Sequence, residues 1–357
     1  MGVEKGKDNN FNIIRLVAAL MVMSGHMAYI MGGGKNRPTF MGQEIHSLGV
    51  KLFFLLGGYF ITISWNSEKK ISRYLIKRFF RIWPPLVIAV FVTAFIICPL
   101  FSSLEIGEYL KNPEVMNYFI KNIKLYPVYA LPGVFIENPY KGAVNGSLWS
   151  LPVEMLMYII VPLFSTFVIR RERKRDFFAM LIITVMICAL QILHLVYFPE
   201  KRIIIYGTDL MQALDLFPWY LIGMLFTFPY IKKCLNLQIA MLLYMLCACM
   251  QFLTVFNYIM VYIFFPYVIF SFGLSNSPFF GKKIPSRRWE ISYGLFLYGF
   301  PIQQAVEWIN LKNNMQFSFM TELTMSVFIT SVFAYISHNF VEEKSSNICN
   351  VILQKIE

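Results

Sequence analysis

The chain has 357 residues, of which 57% are hydrophobic and 15% charged, and its net charge is +12. So few charged side chains do not cover the surface of a soluble protein of this size, which excludes a soluble domain. The basic residues lie in short runs between apolar segments. This pattern is typical of membrane topology signals, with anionic lipid as the partner and no nucleic acid.

Apolar stretches of roughly 20 residues recur along the chain, and a helix of that length crosses about 30 Å of hydrocarbon. We therefore predict an all-α, polytopic membrane helical bundle with about ten transmembrane helices. No cleavable signal peptide is expected, because the first stretch contains ionisable residues and lacks a small-residue cleavage site. The predicted segments lie near 11–31, 47–64, 80–101, 147–169, 177–198, 210–228, 234–251, 255–275, 289–310 and 321–341.

Basic clusters occupy every second connection between these segments. By the positive-inside rule all four lie in the cytoplasm, and so do both chain termini. The predicted organisation is a cytoplasmic N-terminus, a transmembrane domain with one long outer loop that folds on the outer surface, and a cytoplasmic C-terminal tail. The clusters are at 65–79, 170–176, 232–233 and 282–288; the three regions are 1–10, 11–341 with loop 102–146, and 342–357.

The first predicted helix contains two ionisable residues, although each costs roughly 2.5–3.5 kcal/mol inside a bilayer. Arg15 and His26 are 11 residues apart. Because this is about three helical turns, they share one face and lie about 16 Å apart along the axis. One interpretation is that this face is a functional surface. The alternative is that Arg15 is an anchor at the membrane surface, His26 a hydrogen-bonded core residue, and the small residues between them a helix-packing seam. The residues between them are small or of modest size: Ala18, Ala19, Val22 and Gly25.

A carboxylate in the fourth predicted helix is a candidate partner for His26. If that helix enters from outside near Ser147, Glu154 lies about 10 Å below the outer surface, at the level of the imidazole. A carboxylate beside an imidazole orients the ring and stabilises its protonated form, as a general base requires. The alternative is a structural ion pair or a neutral buried acid. Asp215 is a rival partner for His26 at a similar depth.

Two arginines begin the third predicted helix, within the run RYLIKRFFRIWPP at 73–85. Arg78 and Arg81 are three residues apart, so they lie on one helix face. Guanidinium groups suit phosphate, although plain positive-inside anchoring is the alternative. With Arg15 they predict a cationic entrance on the cytoplasmic side. A ligand with a phosphorylated head and a long thin arm, such as a coenzyme A thioester, fits this entrance and a histidine higher in the membrane.

Several sequence elements resemble the acyltransferase-3 family of bacterial membrane acyltransferases. The opening NNFNIIRLVAALMVMSGH (9–26) is similar to its Arg-and-His signature, and RFFR (78–81) to its R-x-x-R element. GVKLFFLLGGYF (49–60) resembles its second helix, and SLWSLPVEMLMYIIVP (147–162) its segment with a helix-four glutamate. SYGLFLYGFPI (292–302) and HNFVEEK (338–344) resemble its closing elements. These elements follow one another in the family's order through nearly the whole chain.

The resemblance implies ten helices, cytoplasmic termini and transfer of acyl groups, most often acetyl, to sugars of surface polysaccharides or related lipids. It implies Arg15 and His26 as the essential pair, with His26 as catalytic base and Glu154 as the helix-four carboxylate. It also implies that Arg78 and Arg81 bind the acyl-CoA. Two positions depart from the family: Gly57-Gly58 replaces a Ser-Gly pair, which excludes a serine nucleophile there, and Gly299 replaces a frequent histidine.

The functional prediction is an O-acyltransferase of the bacterial plasma membrane. It would move an acyl group, in the first place acetyl, from cytoplasmic acetyl-CoA to a hydroxyl of a cell-surface carbohydrate, with no metal because no cysteine has metal-ligand spacing. The pantetheine arm is expected along the small-residue face of helix one. Direct transfer with His26 as base and an acyl-histidine intermediate both stay open. The alternatives are a transporter or flippase for a glycolipid or polar solute, and a non-catalytic assembly partner.

Overall fold

The structure is a computed structural model that describes residues 10–40, 42–68, 70–168, 174–249, 254–275 and 290–356; side chains are described except those of 247–249 and 254–256. The predicted basic cluster at 282–288 lies outside these residues, and so does the part of the 170–176 cluster up to residue 173. Most of the predicted N-terminal region, 1–9, and the last residue also lie outside them.

Helices make up most of the described chain. Two short antiparallel hairpins pair Thr39–Phe40 (β1) with Gln43–Glu44 (β2), and Ile204–Ile205 (β3) with Thr208–Asp209 (β4). The helices are α1 (Phe11–Met31), α2 (Ile45–Glu68), α3 (Ile71–Val92), α4 (Ile106–Lys111), α5 (Pro113–Ile123), α6 (Ser150–Phe167), α7 (Lys174–Tyr197), α8 (Leu210–Leu225), α9 (Pro229–Lys232), α10 (Leu237–Cys249), α11 (Thr254–Gly273), α12 (Ser292–Lys312), α13 (Phe319–Ser337) and α14 (Glu343–Lys355).

Each of the ten predicted apolar segments overlaps a helix, and α1 has the predicted bounds. Within the described residues, six helical stretches are long and apolar enough to cross a membrane by length and composition. The helical, multi-pass membrane architecture is therefore confirmed. The exact number of spans and the side on which the termini lie stay predictions. The six stretches are Phe11–Met31, Ile45–Glu68, Ile71–Phe101, Ser150–Phe167, Lys174–Tyr197 and Phe319–Lys355.

Helix α2 is the centre of the bundle and packs against α1 and α8 through glycines. A Cβ on Gly49 would lie 2.6 Å from the backbone oxygen of Ala18 in α1. On the opposite side, a Cβ on Gly58 would collide with the backbone oxygen of Tyr220 in α8. Such close approach lets backbones pack directly, and it is how small residues hold helices together in membranes.

A non-helical segment descends along α12 before α6 begins. Asn138 Nδ2 donates to the backbone oxygen of Gln304 at 2.9 Å, and Asn145 Nδ2 donates to that of Leu297 at 2.9 Å. Leu297 precedes Gln304 by seven residues, which is about 10 Å along α12. Irregular backbone is tolerated at such depth when it is buried in protein. Helix α6 therefore begins just after the contact with Leu297, about 10 Å further along α12 than the contact of Asn138 with Gln304.

The last apolar helix does not end where the sequence pattern predicts. A π-helical turn at His338–Glu342 joins α13 directly to α14, and α14 packs against α3. The segment 342–357, which we expected to be a tail, is thus helical to Lys355 and adds residues to the cavity described below.

Candidate functional site

The predicted arginines meet in one cavity. Arg15 in the first turns of α1 lines it together with Arg78 and Arg81 of α3. The cavity has a volume of about 640 Å³ and lies among α1, α2, α3, α6, α8, α12 and α14. Because Arg78 and Arg81 are three residues apart, both guanidinium groups face the same space. The tertiary structure thus brings together the three residues that the sequence pattern assigned to a cationic entrance.

Two carboxylates that the sequence analysis missed contact these arginines. Arg15 Nη1 lies 2.6 Å from Glu290 Oε1, and Arg81 Nη2 lies 3.8 Å from the same oxygen. Arg81 Nη1 lies 3.3 Å from Glu342 Oε2. The available signal was that each acid lies in or beside a closing element that we quoted. Their distance in sequence from the arginines hid the contact.

Arg78 differs from the other two arginines. Its guanidinium lies over the rings of Tyr74, at 5.7 Å, and Tyr158, at 5.5 Å. Its Nε is buried, and within the described chain this atom has no hydrogen-bond partner. A guanidinium carries five N–H donors, so Arg78 retains donors for an anionic ligand.

Glu154 lies in the arginine cavity and not beside His26, so the predicted His26–Glu154 pair is wrong. Its carboxylate accepts a hydrogen bond from the hydroxyl of Tyr158, one turn further along α6. The prediction assumed that the helix enters at the outer surface. In the structure the segment before α6 follows α12 inward, and Ser150, Glu154 and Tyr158 in the first turns of α6 line the arginine cavity.

His26 is buried, with the rings of His46 and Phe300 at centroid distances of 5.5 and 5.0 Å. The rival carboxylate is also occupied elsewhere. Asp215 Oδ2 lies 2.9 Å from Lys51 Nζ. Within the described residues, the imidazole that neighbours His26 is therefore that of His46, at the first turn of α2.

A second pair of residues that the sequence analysis missed lies at this end of the bundle. His46 Nε2 is 3.2 Å from Glu44 Oε2, and Arg37 Nη1 donates to Glu44 Oε1 at 3.0 Å. The hydrogen bond from His46, together with that from Arg37, lowers the pKa of the Glu44 carboxyl to about 2. The sequence signal was a glutamate two residues before a histidine at the start of an apolar helix.

The small-residue face of α1 is a packing surface. A Cβ on Gly25 would lie 2.7 Å from the Cβ of His46, and Gly49 fits equally closely against Ala18. The prediction that the pantetheine arm follows this face is therefore wrong, and the helix-packing alternative is right. The open space lies between α2 and its other neighbours. On α2 it extends from Ile61 to Val50, which is four residues, or about 6 Å along the helix, from His46.

No group of three or more His, Cys, Asp or Glu residues in the described chain is placed to hold a metal ion. The described site offers guanidinium groups, carboxyls, tyrosine hydroxyls and imidazoles. The arginines suit phosphate binding, and the buried histidines suit proton transfer.

Comparisons with known proteins agree over the length of the chain. A family model described as an acyltransferase domain matches residues 8–338. An O-acetyl transferase of Shigella phage Sf6 is 25% identical over 343 residues, covering 95% of this chain and 96% of that protein. Nodulation protein 10 of Rhizobium leguminosarum bv. viciae is 30% identical over 164 residues, 44% of each chain. A peptidoglycan O-acetyltransferase of Listeria monocytogenes is 24% identical over 219 residues, 57% of this chain and 31% of that one. No solved structure matches.

Proposed function

The chain belongs to the acyltransferase-3 family, and from this membership we propose that it is a membrane O-acetyltransferase. It transfers an acetyl group from cytoplasmic acetyl-CoA to a hydroxyl of a cell-surface polysaccharide or glycolipid sugar. The similarity to an O-acetyl transferase over nearly the full length of both chains supports the reaction type. The name of the Listeria relative supports a carbohydrate polymer of the cell envelope as acceptor.

The convergence of the three arginines on one cavity is the observation that carries the proposal. The phosphates of acetyl-CoA bind Arg15, Arg78 and Arg81, and Arg78 offers the donors that are not engaged by carboxylates. Charge-assisted, bidentate contacts are the strong ones for phosphate. The pantetheine arm then follows α2 toward Val50, which brings the thioester toward the histidines. In this scheme Glu154 lies in the cavity that binds acetyl-CoA, the acyl donor, and does not orient the catalytic base His26.

His26 performs the proton transfer. As the acceptor hydroxyl attacks the thioester carbonyl, its proton moves to His26, the carbon–sulfur bond breaks, and His26 returns the proton to the sulfur of coenzyme A. In the alternative, a nitrogen of His26 attacks the thioester carbonyl, the carbon–sulfur bond breaks, and the ring N–H gives its proton to the sulfur. The acceptor hydroxyl then takes the acetyl group from the acyl-histidine and leaves its proton on the imidazole. Either route consumes no net proton. In both, the sugar reaches His26 from the outer side of a bacterial inner membrane in which ten helices span and both termini are cytoplasmic.

The experiment uses bacterial membranes that contain the protein and radiolabelled acetyl-CoA. Transfer of label to the glycan fraction is expected with the unmodified protein and is expected to be lost in His26→Ala. His194→Ala is the matched control, because His194 is a partly buried histidine on α7 that does not line the cavity. Full transfer activity in His26→Ala would refute the proposed role of His26. Protein that binds no acetyl-CoA in detergent and moves glycolipid instead would favour a transporter.

A further inference from the structure

The structure gives His26 an imidazole neighbour in place of the predicted carboxylate. The ring centroids of His26 and His46 are 5.5 Å apart. A hydrogen bond of about 3 Å between nitrogens of two imidazole rings sets their centroids roughly 5.3 Å apart. The observed separation is close to this value, so the two rings are neighbours, but the hydrogen bond itself is not formed in the structure. Gly25, next to His26, makes the approach feasible, because any Cβ there would meet the His46 Cβ at 2.7 Å.

Glu44 determines which nitrogen of His46 carries the proton. A carboxylate only accepts hydrogen bonds, so the nitrogen that faces it must be the protonated one. That nitrogen is Nε2, at 3.2 Å from Glu44 Oε2. In the neutral ring the other nitrogen, Nδ1, is then an acceptor. Nδ1 of His46 is buried, and in the described chain it has no hydrogen-bond partner.

We propose that Glu44 and His46 are positioning residues for His26. Glu44 holds His46 in the Nε2–H tautomer, and a small rotation of the neighbouring rings lets the unpartnered His46 Nδ1 accept the N–H of His26. The other nitrogen of His26 is thereby left with the lone pair that takes the proton of the acceptor hydroxyl. When His26 becomes an imidazolium, the Glu44 carboxylate stabilises the charge through His46, and the proton later leaves to the coenzyme A sulfur. This inference rests on the proposed function and assigns residues to the same site.

Few charged or titratable groups face this pair. Helix α1 contributes His26 and Tyr29, whose ring is 6.3 Å from that of His46. The loop after α1 contributes Arg37, which binds Glu44 from the far side. The descending segment contributes Tyr140, 4.8 Å from Tyr29, and α12 places the apolar ring of Phe300 next to His26. Helix α11 contributes Tyr258, which interacts electrostatically with Glu44. Glu44 is thus the single carboxylate that contacts the pair in the described structure.

The test measures initial rates of label transfer from acetyl-CoA to membrane glycans, across pH, in three variants. His46→Ala is expected to lower the maximal rate on the order of 10- to 100-fold with an unchanged KM for acetyl-CoA. This is less than the roughly 10²- to 10⁴-fold of a proton-transferring side chain itself, because His46 only positions His26. His46→Gln is expected to recover part of the rate, because its amide can donate to Glu44 and accept from His26 at once. Glu44→Gln is expected to move the acid limb of the pH profile to lower pH, because the lost charge no longer favours protonation of the rings.

His194→Ala is again the matched control, and size-exclusion profiles in detergent establish that each variant is folded. Full activity and an unchanged pH profile in His46→Ala, with activity lost in His26→Ala, would overturn this inference and leave the proposed function standing. Equal loss in His46→Ala and His46→Gln with no change in the pH profile would reduce the pair to a structural role and also overturn it. Full activity in His26→Ala would overturn the proposed function itself.

Discussion

Arg78 offers the sharpest test of the donor cavity, because it contacts two tyrosine rings and no carboxylate in the described structure. Replacing it with alanine removes hydrogen bonds from a charged donor to phosphate, each worth about 1.5–3 kcal/mol. Since about 1.4 kcal/mol corresponds to a factor of ten, the Kd for acetyl-CoA should rise roughly 10- to 150-fold. The folding cost is limited to the two ring contacts, about 1 kcal/mol in all.

The assay is isothermal titration of acetyl-CoA into purified protein in detergent, with a melting curve for each variant. Arg78→Lys keeps the charge and loses the planar fork, so its affinity should be intermediate. Arg81→Ala should behave differently, because it leaves the carboxylate of Glu342, with a side chain only 6% exposed, without its partner. Because Arg81 is 39% exposed, the cost stays below the about 3–5 kcal/mol of a fully buried pair, but this variant should still melt earlier. Unchanged affinity in a folded Arg78→Ala protein would refute phosphate binding by this cavity.

Three further predictions concern stability, each measured as a melting curve in detergent. Lys51→Met leaves Asp215 without the ion-pair partner at 2.9 Å and should destabilise the protein by about 3–5 kcal/mol. The double variant that also carries Asp215→Leu should regain most of that stability. Equal melting temperatures of the single and double variants would contradict this. Gly58→Ala should lower the free energy of unfolding by about 1–3 kcal/mol, because the new Cβ collides with the α8 backbone. Gly57→Ala should lower it little, because the Cβ there meets only the edge of the Tyr220 ring at 3.3 Å. A larger loss of stability in Gly57→Ala than in Gly58→Ala would refute the packing described. The pKa of Glu44 is lowered to about 2, so its contribution to stability is complete above the usual pKa of 4.5 and is lost as the pH falls from 4.5 toward 2. Glu44→Gln should therefore make the melting temperature depend less on pH in this range. An unchanged pH dependence in this variant would argue against the ion pair.

The local properties of the chain were enough to predict the helices. A helix in hydrocarbon must satisfy its own backbone hydrogen bonds, so membrane helices are written into the sequence as contiguous apolar stretches. The predicted segment 11–31 has the bounds of α1, and a helix occupies each of the others. Helical spacing was likewise enough to place Arg78 and Arg81 on one face. The motifs at 9–26, 78–81 and 147–162 indicated the family that the comparisons establish.

The contacts between helices were beyond that reasoning, and Glu154 is the clearest case. Its depth depends on where α6 begins, which is decided by the hydrogen bonds of Asn138 and Asn145 to α12 and by no local pattern. The pairing of Arg15 with Glu290 joins residues 275 apart, and nothing in either neighbourhood encodes it. His46 approaches His26 because Gly25 lacks a side chain, a fact that acquires meaning once α1 and α2 are packed together. An apolar stretch is a property of a single segment, so it can be identified from the sequence. A site assembled from several helices depends on the relative depth and rotation of those helices, and both are set by how the helices pack.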